Sequence, residues 1–337
     1  YPSAAAEKKV SALVNRDLDF KQKDYQVVSR IIDDVRRNGD NAVIKYANRF
    51  DAPKLAPGSI KVTAREMDAA VKKVDRRFVR ALNRAASQIE AFHRQQVQQS
   101  WIDTQRSGTL LGQLVNPVDA AGVYVPGARG GKTPLISTVL MTGIPAKIAG
   151  VKNRVMVSPS TRAGGVNPHL LVAAKKVGIK DIYKVGSAWA IAALAYGTET
   201  IPRVDVIAGP GNIYVTLAKK IVSGTVGIDM IAGPSEVLVI ADHTATPEYA
   251  AADLLAQAEH DVLSSAILVT DSDRMARAVA AEIDKQLATL NRQEIARESL
   301  KRYGAVLVVE DLNAAIELAN RIAPEHLELQ ILSLIHI

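Results

Sequence analysis

Two polar side chains near the end of one predicted helix have the types and spacing of metal ligands. The segment TPEYAAADLLAQAEHD predicts a helix over residues 247–260, with Thr246 as its cap and an apolar stripe along one side. Gln257 and His260 lie off that stripe and are three residues apart, so they project side by side. An amide oxygen and an imidazole nitrogen can both bind one zinc ion, although an amide is an uncommon ligand. A solvated polar helix face is the alternative that the spacing leaves open.

An acid and an imidazole stand next to each other beyond another predicted helix. Glu325 and His326 follow a helix predicted over residues 312–322, which Pro324 ends. Carboxyl and imidazole groups have different reference pKa values, which suits two successive general-base steps. A polar turn without chemistry is the alternative interpretation.

Two glycine-proline loops follow apolar runs and are candidates for cofactor binding. They are GPGN at 209–212 and GPSE at 233–236. Glycine lets a ligand approach the backbone and proline fixes the turn, so either loop could receive a cofactor. Taken alone, each loop is also explained by an ordinary tight turn between a strand and a helix.

A third glycine-rich loop, GVYVPGARGGKTP, is similar to a phosphate-binding P-loop. Gly127, Gly131, Lys132 and Thr133 match the residue types of that motif. A P-loop places four residues between its glycines so that backbone N–H groups wrap a phosphate. Only three residues separate Gly127 from Gly131 here, and Pro126 occupies the position that the glycine requires. The spacing therefore disfavours a nucleoside triphosphatase, which would lose ATP binding on replacement of Lys132.

The composition excludes several classes of protein. The 337 residues are 48% hydrophobic and 23% charged with a mean hydropathy of +0.04, which is typical of a folded chain with a sizeable core. There is no cysteine, which excludes disulfides, thiolate metal sites and mechanisms through a cysteine thioester. No apolar stretch is long enough to span a membrane, and charges interrupt the first twenty residues. We therefore expect a cytoplasmic protein with no membrane partner.

The net charge of +7 raises the question of a nucleic-acid partner. The basic excess lies in the N-terminal third, where Lys and Arg are spread over predicted helices with hardly any aromatic side chain between them. This distribution favours a solvated helix surface, and we expect no nucleic-acid partner.

The elements that must position these groups change in character along the chain. Residues 21 to about 95 have helical periodicity, with Thr63 and Glu66 forming a capping box ahead of one long amphipathic stretch. From about residue 118, short β-rich runs alternate with Ala- and Leu-rich helical stretches, which predicts parallel sheets covered on both faces. The alternation occurs in two sets. The predicted fold class is α/β, with two incomplete Rossmann-like domains preceded by N-terminal helices and with ligands at the carboxyl ends of the strands.

Taken together and in this order, six motifs closely resemble those of the histidinol dehydrogenase family: GVYVPG, STVLMTGIPAKIAGV, GPGNIYVTLAKK, DMIAGPSEVLVIAD, DLLAQAEHD and APEHLEL. The resemblance extends from the N-terminal helices to about Gln330. It implies an enzyme that oxidises L-histidinol through histidinaldehyde to L-histidine with two NAD⁺, the last steps of histidine biosynthesis. It also implies zinc dependence, a cytoplasmic location and a homodimer when the protein is full length.

The resemblance assigns roles on the substrate side. Gln257 and His260 match two of the family's four protein zinc ligands and also contact substrate, while the substrate's own amine and imidazole complete the shell. His326 would take the alcohol proton, and Glu325 would activate the water that hydrates the aldehyde. Ser235 and Glu236 match substrate-contacting positions.

The resemblance also assigns the cofactor side and a domain division. Tyr124 and Asn212 match NAD contacts, and Trp189 stands in GSAWAIAALA where the family usually has a glutamine that meets NAD. An indole can stack on the cofactor but cannot offer the amide's acceptor. The implied domains are an N-terminal arm, a discontinuous zinc and substrate domain and an NAD-binding domain: 1–20, 21–123 with 237–331, and 124–236.

The last residues depart from the family. LSLIHI, residues 332–337, is not what the family has after HLELQ, so we expect a non-native terminus on a truncated chain in which His336 is not a ligand. The family's segment that supplies an aspartate and a histidine to zinc is missing from this sequence. We therefore expect the chain as given to bind zinc weakly and to turn over little.

Three alternatives remain open at this point. The chain could be a related zinc- and NAD-dependent alcohol dehydrogenase with a different substrate, or an inactive fragment of the enzyme. It could also be a non-catalytic binding or assembly module, in which changes at Glu325 and His326 would matter little.

Overall fold

A computed structural model describes residues 3–16, 21–51, 55–127, 134–161, 163–231 and 233–332. Within these ranges, no helix has the length and apolar character needed to span a membrane. The P-loop-like residues Gly131, Lys132 and Thr133 lie outside the described residues, as do residues 333–337 of the expected non-native terminus.

The chain folds into two compact units. Unit 1 comprises Tyr1–Asp19 and Ala232–Ile337, and unit 2 comprises Phe20–Ile231. The helices in chain order are α1 Ala4–Val14, α2 Gln22–Phe50, α3 Ala64–Lys73, α4 Arg76–Arg94, α5 Ile136–Ile148, α6 Pro168–Lys176, α7 Ser187–Tyr196, α8 Ile213–Val222, α9 Pro247–Ala258, α10 Asp273–Leu287, α11 Gln293–Tyr303 and α12 Leu312–Ile322. The strands are β1 Trp101–Asp103, β2 Leu111–Gln113, β3 Ala120–Tyr124, β4 Asn153–Val157, β5 Asp181–Tyr183, β6 Val206–Ala208, β7 Gly227–Ile228, β8 Glu236–Ala241, β9 Ser265–Thr270, β10 Ala305–Val308 and β11 His326–Gln330.

Both units contain a parallel sheet with the strand order of a Rossmann fold. In unit 2 the order is β5-β4-β3-β6-β7, and in unit 1 it is β10-β9-β8-β11. All neighbouring strands in these two sheets are parallel. Numbered within each unit, the orders are 3-2-1-4-5 and 3-2-1-4, which are incomplete forms of the doubly wound order 3-2-1-4-5-6. The predicted fold class is confirmed.

Helices cover both faces of the unit 2 sheet. Buried side chains of β3 to β6 that point to one face pack with α2, α7 and α8, and those that point to the other face pack with α3 to α6. The N-terminal helices of this unit pack on the helices that cover the sheet: α2 on α7 and α8, α3 on α6, and α4 on α5. Residues 20–231 form this unit, a division that differs from the predicted pairing of 21–123 with 237–331.

Unit 1 repeats this layered arrangement. Alternate residues of β8 point to opposite faces, so Val237 and Val239 pack with α9 to α11 while Leu238 and Ile240 pack with α1 and α12. Val10 and Leu13 of α1 are buried in the second of these layers. Each contributes roughly 1.5–3 kcal/mol through burial, so α1 is a core element of unit 1 and not a loose arm.

Two local features differ from the sequence-based expectations, the helix after Thr63 and four of the strands. The predicted long helix after Thr63 is two helices, because Val74 is extended and the carboxylate of Asp75 caps α4 by accepting from the Phe78 N–H at 2.6 Å. The capping box of Thr63 and Glu66 is confirmed. The strands β1, β2, β7 and β11 were not predicted, and β11 begins at His326, where the sequence suggested a turn.

Candidate active site

The predicted substrate-side residues gather at the amino edge of the unit 1 sheet. Ser235 and Glu236 lie at the start of β8, and His326 starts β11 opposite Val237 in parallel register. Glu236 is in register with Ser265, the first residue of β9. The strands of a parallel sheet begin at one common edge, so these groups are neighbours. This is the opposite edge from the carboxyl ends at which ligands were expected.

The two predicted zinc ligands lie at the C-terminal end of α9. This helix runs from the carboxyl end of β8 back to the start of β9, which brings its last turn to the same amino edge. Gln257 is buried and lies in the last turn of the helix, whereas His260 is exposed and lies just past its end. The backbone N–H of His260 donates to the Gln257 carbonyl at 3.1 Å, and the Arg292 side chain donates to the His260 carbonyl at 3.1 Å.

The Gln257 side chain carries an unsatisfied hydrogen-bond donor. Its amide nitrogen is buried and has no hydrogen-bond partner among the described residues. A buried amide without a partner is costly, typically by about 1–3 kcal/mol, so a side chain left in this state calls for an explanation. A ligand that engages the amide supplies one.

Glu325 and His326 form a loose pair at the start of β11. The helix α12 ends at Ile322, and Ala323 adopts a left-handed conformation with φ of 50° that turns the chain into Pro324. The Oε1 atom of Glu325 lies 3.9 Å from Nε2 of His326, which is too long for a direct hydrogen bond. Both side chains are more than half exposed. Each group is therefore free to exchange its own proton with a ligand or with water.

An arginine that the sequence did not single out contacts the predicted substrate residues. The guanidinium of Arg16 donates to Glu236 Oε1 at 2.8 Å, to the Pro234 carbonyl at 3.3 Å and to the Leu263 carbonyl at 2.7 Å. It also lies 4.8 Å from the centre of the Tyr303 ring, in the geometry of a cation–π contact. No sequence signal marks Arg16, because its partners lie more than two hundred residues away.

The predicted cofactor-side residues lie at the carboxyl edge of the unit 2 sheet. Tyr124 ends β3, Asn212 follows β6, and Trp189 lies in α7 after β5. Because the chain winds outward from β3 through β4 to β5 and then returns to β6 on the other side, β3 and β6 flank the topological switch point. Ligands of doubly wound sheets bind outside the carboxyl ends of the strands at this point.

Tyr124 and Trp189 are buried in the core of unit 2. The Tyr124 hydroxyl accepts from the Ser187 N–H at 3.1 Å, and burial raises the pKa of this phenol. The Trp189 indole stacks on Tyr46 and Phe50 of α2, with ring centres 6.0 and 5.7 Å away, and its buried N–H has no partner among the described residues. The indole faces are thus already packed on aromatic rings of the chain itself.

Asn212 caps α8. Its side-chain oxygen accepts from the N–H groups of Tyr214 and Val215 at 3.1 and 3.2 Å. The residue is exposed, so its amide group remains accessible while it fixes the start of the helix.

Asp51, an acid at the end of α2, was also not identified from the sequence. The carboxyl of Asp51 accepts a hydrogen bond from the backbone of Gly186, next to the start of α7, and its Oδ2 atom is buried without a partner among the described residues. Burial raises the pKa of Asp51 to about 6, and the Gly186 hydrogen bond opposes this shift. The carboxyl of Asp51 and the backbone of Ser187, the first residue of α7, both lie near the Tyr124 hydroxyl.

The zinc fit is partial. In the described parts of the chain, no group of three or more His, Asp or Glu side chains is placed to hold a metal ion. Gln257 and His260 offer two neutral donors close in sequence and on one edge of the sheet, and a tetrahedral zinc site needs two more.

Comparison with known proteins identifies the family. A family model described as histidinol dehydrogenase matches residues 15–336. The chain belongs to the histidinol dehydrogenase family. It is 54% identical over 329 residues to histidinol dehydrogenase of Desulfotalea psychrophila, covering 98% of this chain and 76% of the relative. It is 52% identical over 304 residues to the Thermosynechococcus vestitus enzyme, covering 90% and 70%.

A solved structure agrees with this family assignment. The crystal structure of histidinol dehydrogenase from Elizabethkingia anophelis superposes with a TM-score of 0.89 at 40% identity, covering 96% of this chain and 74% of that one. The histidinol dehydrogenase resemblance predicted from the motifs is confirmed. The chain is an oxidoreductase of histidine biosynthesis, and a related dehydrogenase with another substrate is not favoured.

Proposed function

We propose that the protein oxidises L-histidinol to L-histidine with NAD⁺ in two steps, through histidinaldehyde. The observation that carries this proposal is the placement of Ser235–Glu236 and Glu325–His326 at the same edge of two paired strands, in a chain of this family. The last turn of α9, with Gln257 and His260, ends at that edge too. Together these residues form the candidate substrate site of unit 1.

The two proton carriers divide the work. His326 takes the alcohol proton in the first oxidation, since an imidazole is the usual general base of this kind of step. Glu325 activates the water that adds to the aldehyde, and the hydrated aldehyde is then an alcohol again. Glu325 Oε1 and His326 Nε2 are 3.9 Å apart, so the two groups share no direct hydrogen bond. No cysteine is needed for the second step, which agrees with a chain that has none.

Zinc is proposed to bind at Gln257 and His260. Bound zinc would orient the substrate and polarise its oxygen. The support is the chemistry of the two donors, the amide oxygen of Gln257 and the imidazole nitrogen of His260. The substrate's amine and imidazole are neutral donors of the kind that zinc accepts in its remaining positions.

NAD⁺ is proposed to bind at the switch point of unit 2. Bound NAD⁺ would accept a hydride in each oxidation. Tyr124 and Asn212 flank this point at the ends of β3 and β6. Trp189 is proposed to border the site without stacking on the cofactor, because the rings of Tyr46 and Phe50 already cover its indole. The strand order supports this location, since doubly wound sheets bind ligands outside the carboxyl ends of the strands at the switch point.

A homodimer is proposed, and the β1–β2 hairpin is the surface that supports it. Trp101 and Leu111 lie on one face of the hairpin and Ile102 on the other, and all three are more than half exposed. A two-stranded sheet with neither face covered is marginally stable alone, and exposed apolar patches mark interaction sites. The charged residues of 95–118 are Asp103 and Arg106, so two copies can meet without net like-charge repulsion.

Further exposed apolar side chains lie beside the strands of the hairpin, at Leu110, Leu114 and Val115. Light scattering tests the proposal: Leu111→Asp should shift a dimer to monomer, and an unchanged mass would remove the hairpin from the interface. A cytoplasmic location is proposed on the basis of the biosynthetic family alone.

The function is tested on the full-length protein by assaying NADH and L-histidine with L-histidinol and, in parallel, with an amino alcohol that lacks imidazole. We expect two NADH for each L-histidine formed and no turnover of the other alcohol. Glu325→Gln and His326→Asn should each lower the rate by about 10²–10⁴-fold with unchanged thermal stability, since both side chains are exposed. Activity of both variants within twofold of the unsubstituted chain would leave a binding module as the better description.

A further inference from the structure

An ion pair between a buried lysine and a partly exposed aspartate holds the start of the GPGN loop in unit 2. Lys219 of α8 is only 3% exposed, and its ammonium donates to the Gly209 carbonyl at 3.1 Å while pairing with the carboxylate of Asp229. The second oxygen of Asp229 accepts from the Gly209 N–H at 2.9 Å. One ion pair thus holds both backbone groups of a single glycine.

Gly209 has no room to move toward β3. Its φ is +132°, and a Cβ atom at this position would lie 2.1 Å from the carbonyl oxygen of Tyr124. Only glycine fits both this conformation and this close approach. Gly209 therefore packs against Tyr124, the last residue of β3, on one side and is hydrogen-bonded to the ion pair on the other.

The far end of the loop is fixed as well. Asn212 caps α8, the helix that carries Lys219, through hydrogen bonds from Tyr214 and Val215. Lys219 is two turns further along, so the helix that the loop starts also supplies the cation that holds the loop's first residue. Contacts thus fix both ends of the GPGN loop, which lies between β6 and α8 at the switch point.

Burying the lysine has a cost. The Lys219 ammonium loses its hydration inside the fold, and the Asp229 carboxylate, which keeps contact with solvent, and the Gly209 carbonyl offset that loss. Charged pairs are attested where they impose one conformation. Here the conformation imposed is that of the turn between β6 and α8, whose exposed last residue, Asn212, lies at the carboxyl edge where doubly wound sheets bind ligands.

We propose that Lys219 and Asp229 are positioning residues, which hold the GPGN loop in the one shape that binds a dinucleotide cofactor. This inference rests on the proposed binding of NAD⁺ at the switch point. The pair acts through Gly209 and Asn212 and does not touch the reacting atoms. Neither residue was marked by the sequence analysis, because the lysine lies within an ordinary amphipathic helix.

The test compares Lys219→Met with the double variant Lys219→Met/Asp229→Asn, and uses Lys220→Met as an exposed neighbouring control. The double variant removes both charges, so no unpaired charge remains buried, and its amide can still accept from the Gly209 N–H. Hydrogen exchange is measured at residues 209–212 and at β3, and NAD⁺ affinity by calorimetry. The KM for L-histidinol shows whether the substrate site is affected.

In both Lys219 variants, exchange at Gly209, Gly211 and Asn212 should be at least tenfold faster, with β3 unchanged. NAD⁺ should bind at least tenfold more weakly in both, with the KM for L-histidinol within twofold, and Lys220→Met should resemble the unsubstituted chain. The double variant should regain thermal stability without regaining affinity, which a merely structural pair would not do.

Two results overturn the inference. Loop exchange in the double variant within twofold of the unsubstituted chain shows that the pair does not hold the loop, whether or not NAD⁺ binds. A faster loop with unchanged NAD⁺ affinity shows that its shape does not serve the cofactor. If the unsubstituted chain fails to bind NAD⁺, the proposed cofactor and the cofactor role of the loop fail together, while the exchange data still decide whether Lys219 holds it.

Discussion

The carboxylate of Glu236 accepts a hydrogen bond from the guanidinium of Arg16 at 2.8 Å, although 220 positions separate the two residues. The side chain of Arg16 is 8% exposed and that of Glu236 25% exposed. Through its further bonds to Pro234 and Leu263, Arg16 joins the turns that precede β8 and β9. The orientation of the predicted substrate residue Glu236 thus depends on a residue just after α1.

Arg16→Ala should lower both stability and substrate affinity. Its removal leaves a partly buried carboxylate and two carbonyls without their donor, so we expect the free energy of unfolding in urea to fall by about 2 kcal/mol. The KM for L-histidinol should rise severalfold. Lys175→Ala is the control, because it breaks a pair with Asp68 in which both side chains are more than half exposed, and should cost less than about 0.5 kcal/mol. A loss in Arg16→Ala no larger than in the control would contradict this account.

Asp51 should make the stability of unit 2 depend on pH. Its carboxyl has a pKa of about 6 in the fold and about 3.9 when unfolded, so the folded state binds the proton more tightly. The contribution to stability is therefore full below about pH 4 and is lost as the pH rises through 6. Asp51→Asn removes this loss and should be more stable than the unsubstituted chain at pH 7.5, by up to about 3 kcal/mol, with the difference vanishing near pH 4.

A second aspartate provides a control of opposite sign. Hydrogen bonds from Lys45, Asn38 and Tyr46 lower the pKa of Asp34 to about 2. Its contribution is present above about pH 4 and lost as the pH falls through 2, so Asp34→Asn should be destabilised at pH 7.5. Urea unfolding of the two variants at pH 4.5 and 7.5 measures both. A difference for Asp51→Asn that does not change with pH would show that this carboxyl is not shifted.

Zinc retention should depend on the substrate. The described residues offer Gln257 and His260 as the donors at this edge, so the chain alone should hold well below one zinc after dialysis. L-histidinol should raise the retained zinc, because its amine and imidazole add two donors, and Gln257→Ala with His260→Ala should abolish the increase. Metal analysis measures the stoichiometry. One tightly held zinc per chain without L-histidinol would show that the metal site is formed by other residues.

Much of the fold is readable because its strands are continuous apolar runs. VLVIA of β8 and AILV of β9 are buried on both faces, as parallel strands are. The bounds of α12 follow from its apolar period and from Pro324. The β1–β2 hairpin gives no such signal, since neither face is buried and its residues do not alternate. The edge strand β11 was missed because its first residues also suit a polar turn.

Only part of the candidate site could be predicted from the sequence, for a related reason. Glu325, His326, Gln257 and His260 are marked by type and local spacing, but the edge they share is set by strand pairing. Arg16 and Lys219 act across the fold on backbone groups, and no local pattern reports such contacts. Trp189 shows the reverse case, since its position suggested a cofactor contact while its surroundings are the rings of α2.

The central claim is that the end of α9 and the start of β11 border one site. The chain has no cysteine, so two can be introduced without background. The double variant His260→Cys/His326→Cys places one thiol at the end of α9 and one at the start of β11, and both positions are exposed. His243→Cys/His326→Cys is the control, because His243 lies past the other end of β8, roughly 20 Å away at about 3.3 Å per residue. A short bifunctional thiol reagent should cross-link the first pair within the chain and not the second. Failure of the first pair, or equal yields for both, would contradict the shared site.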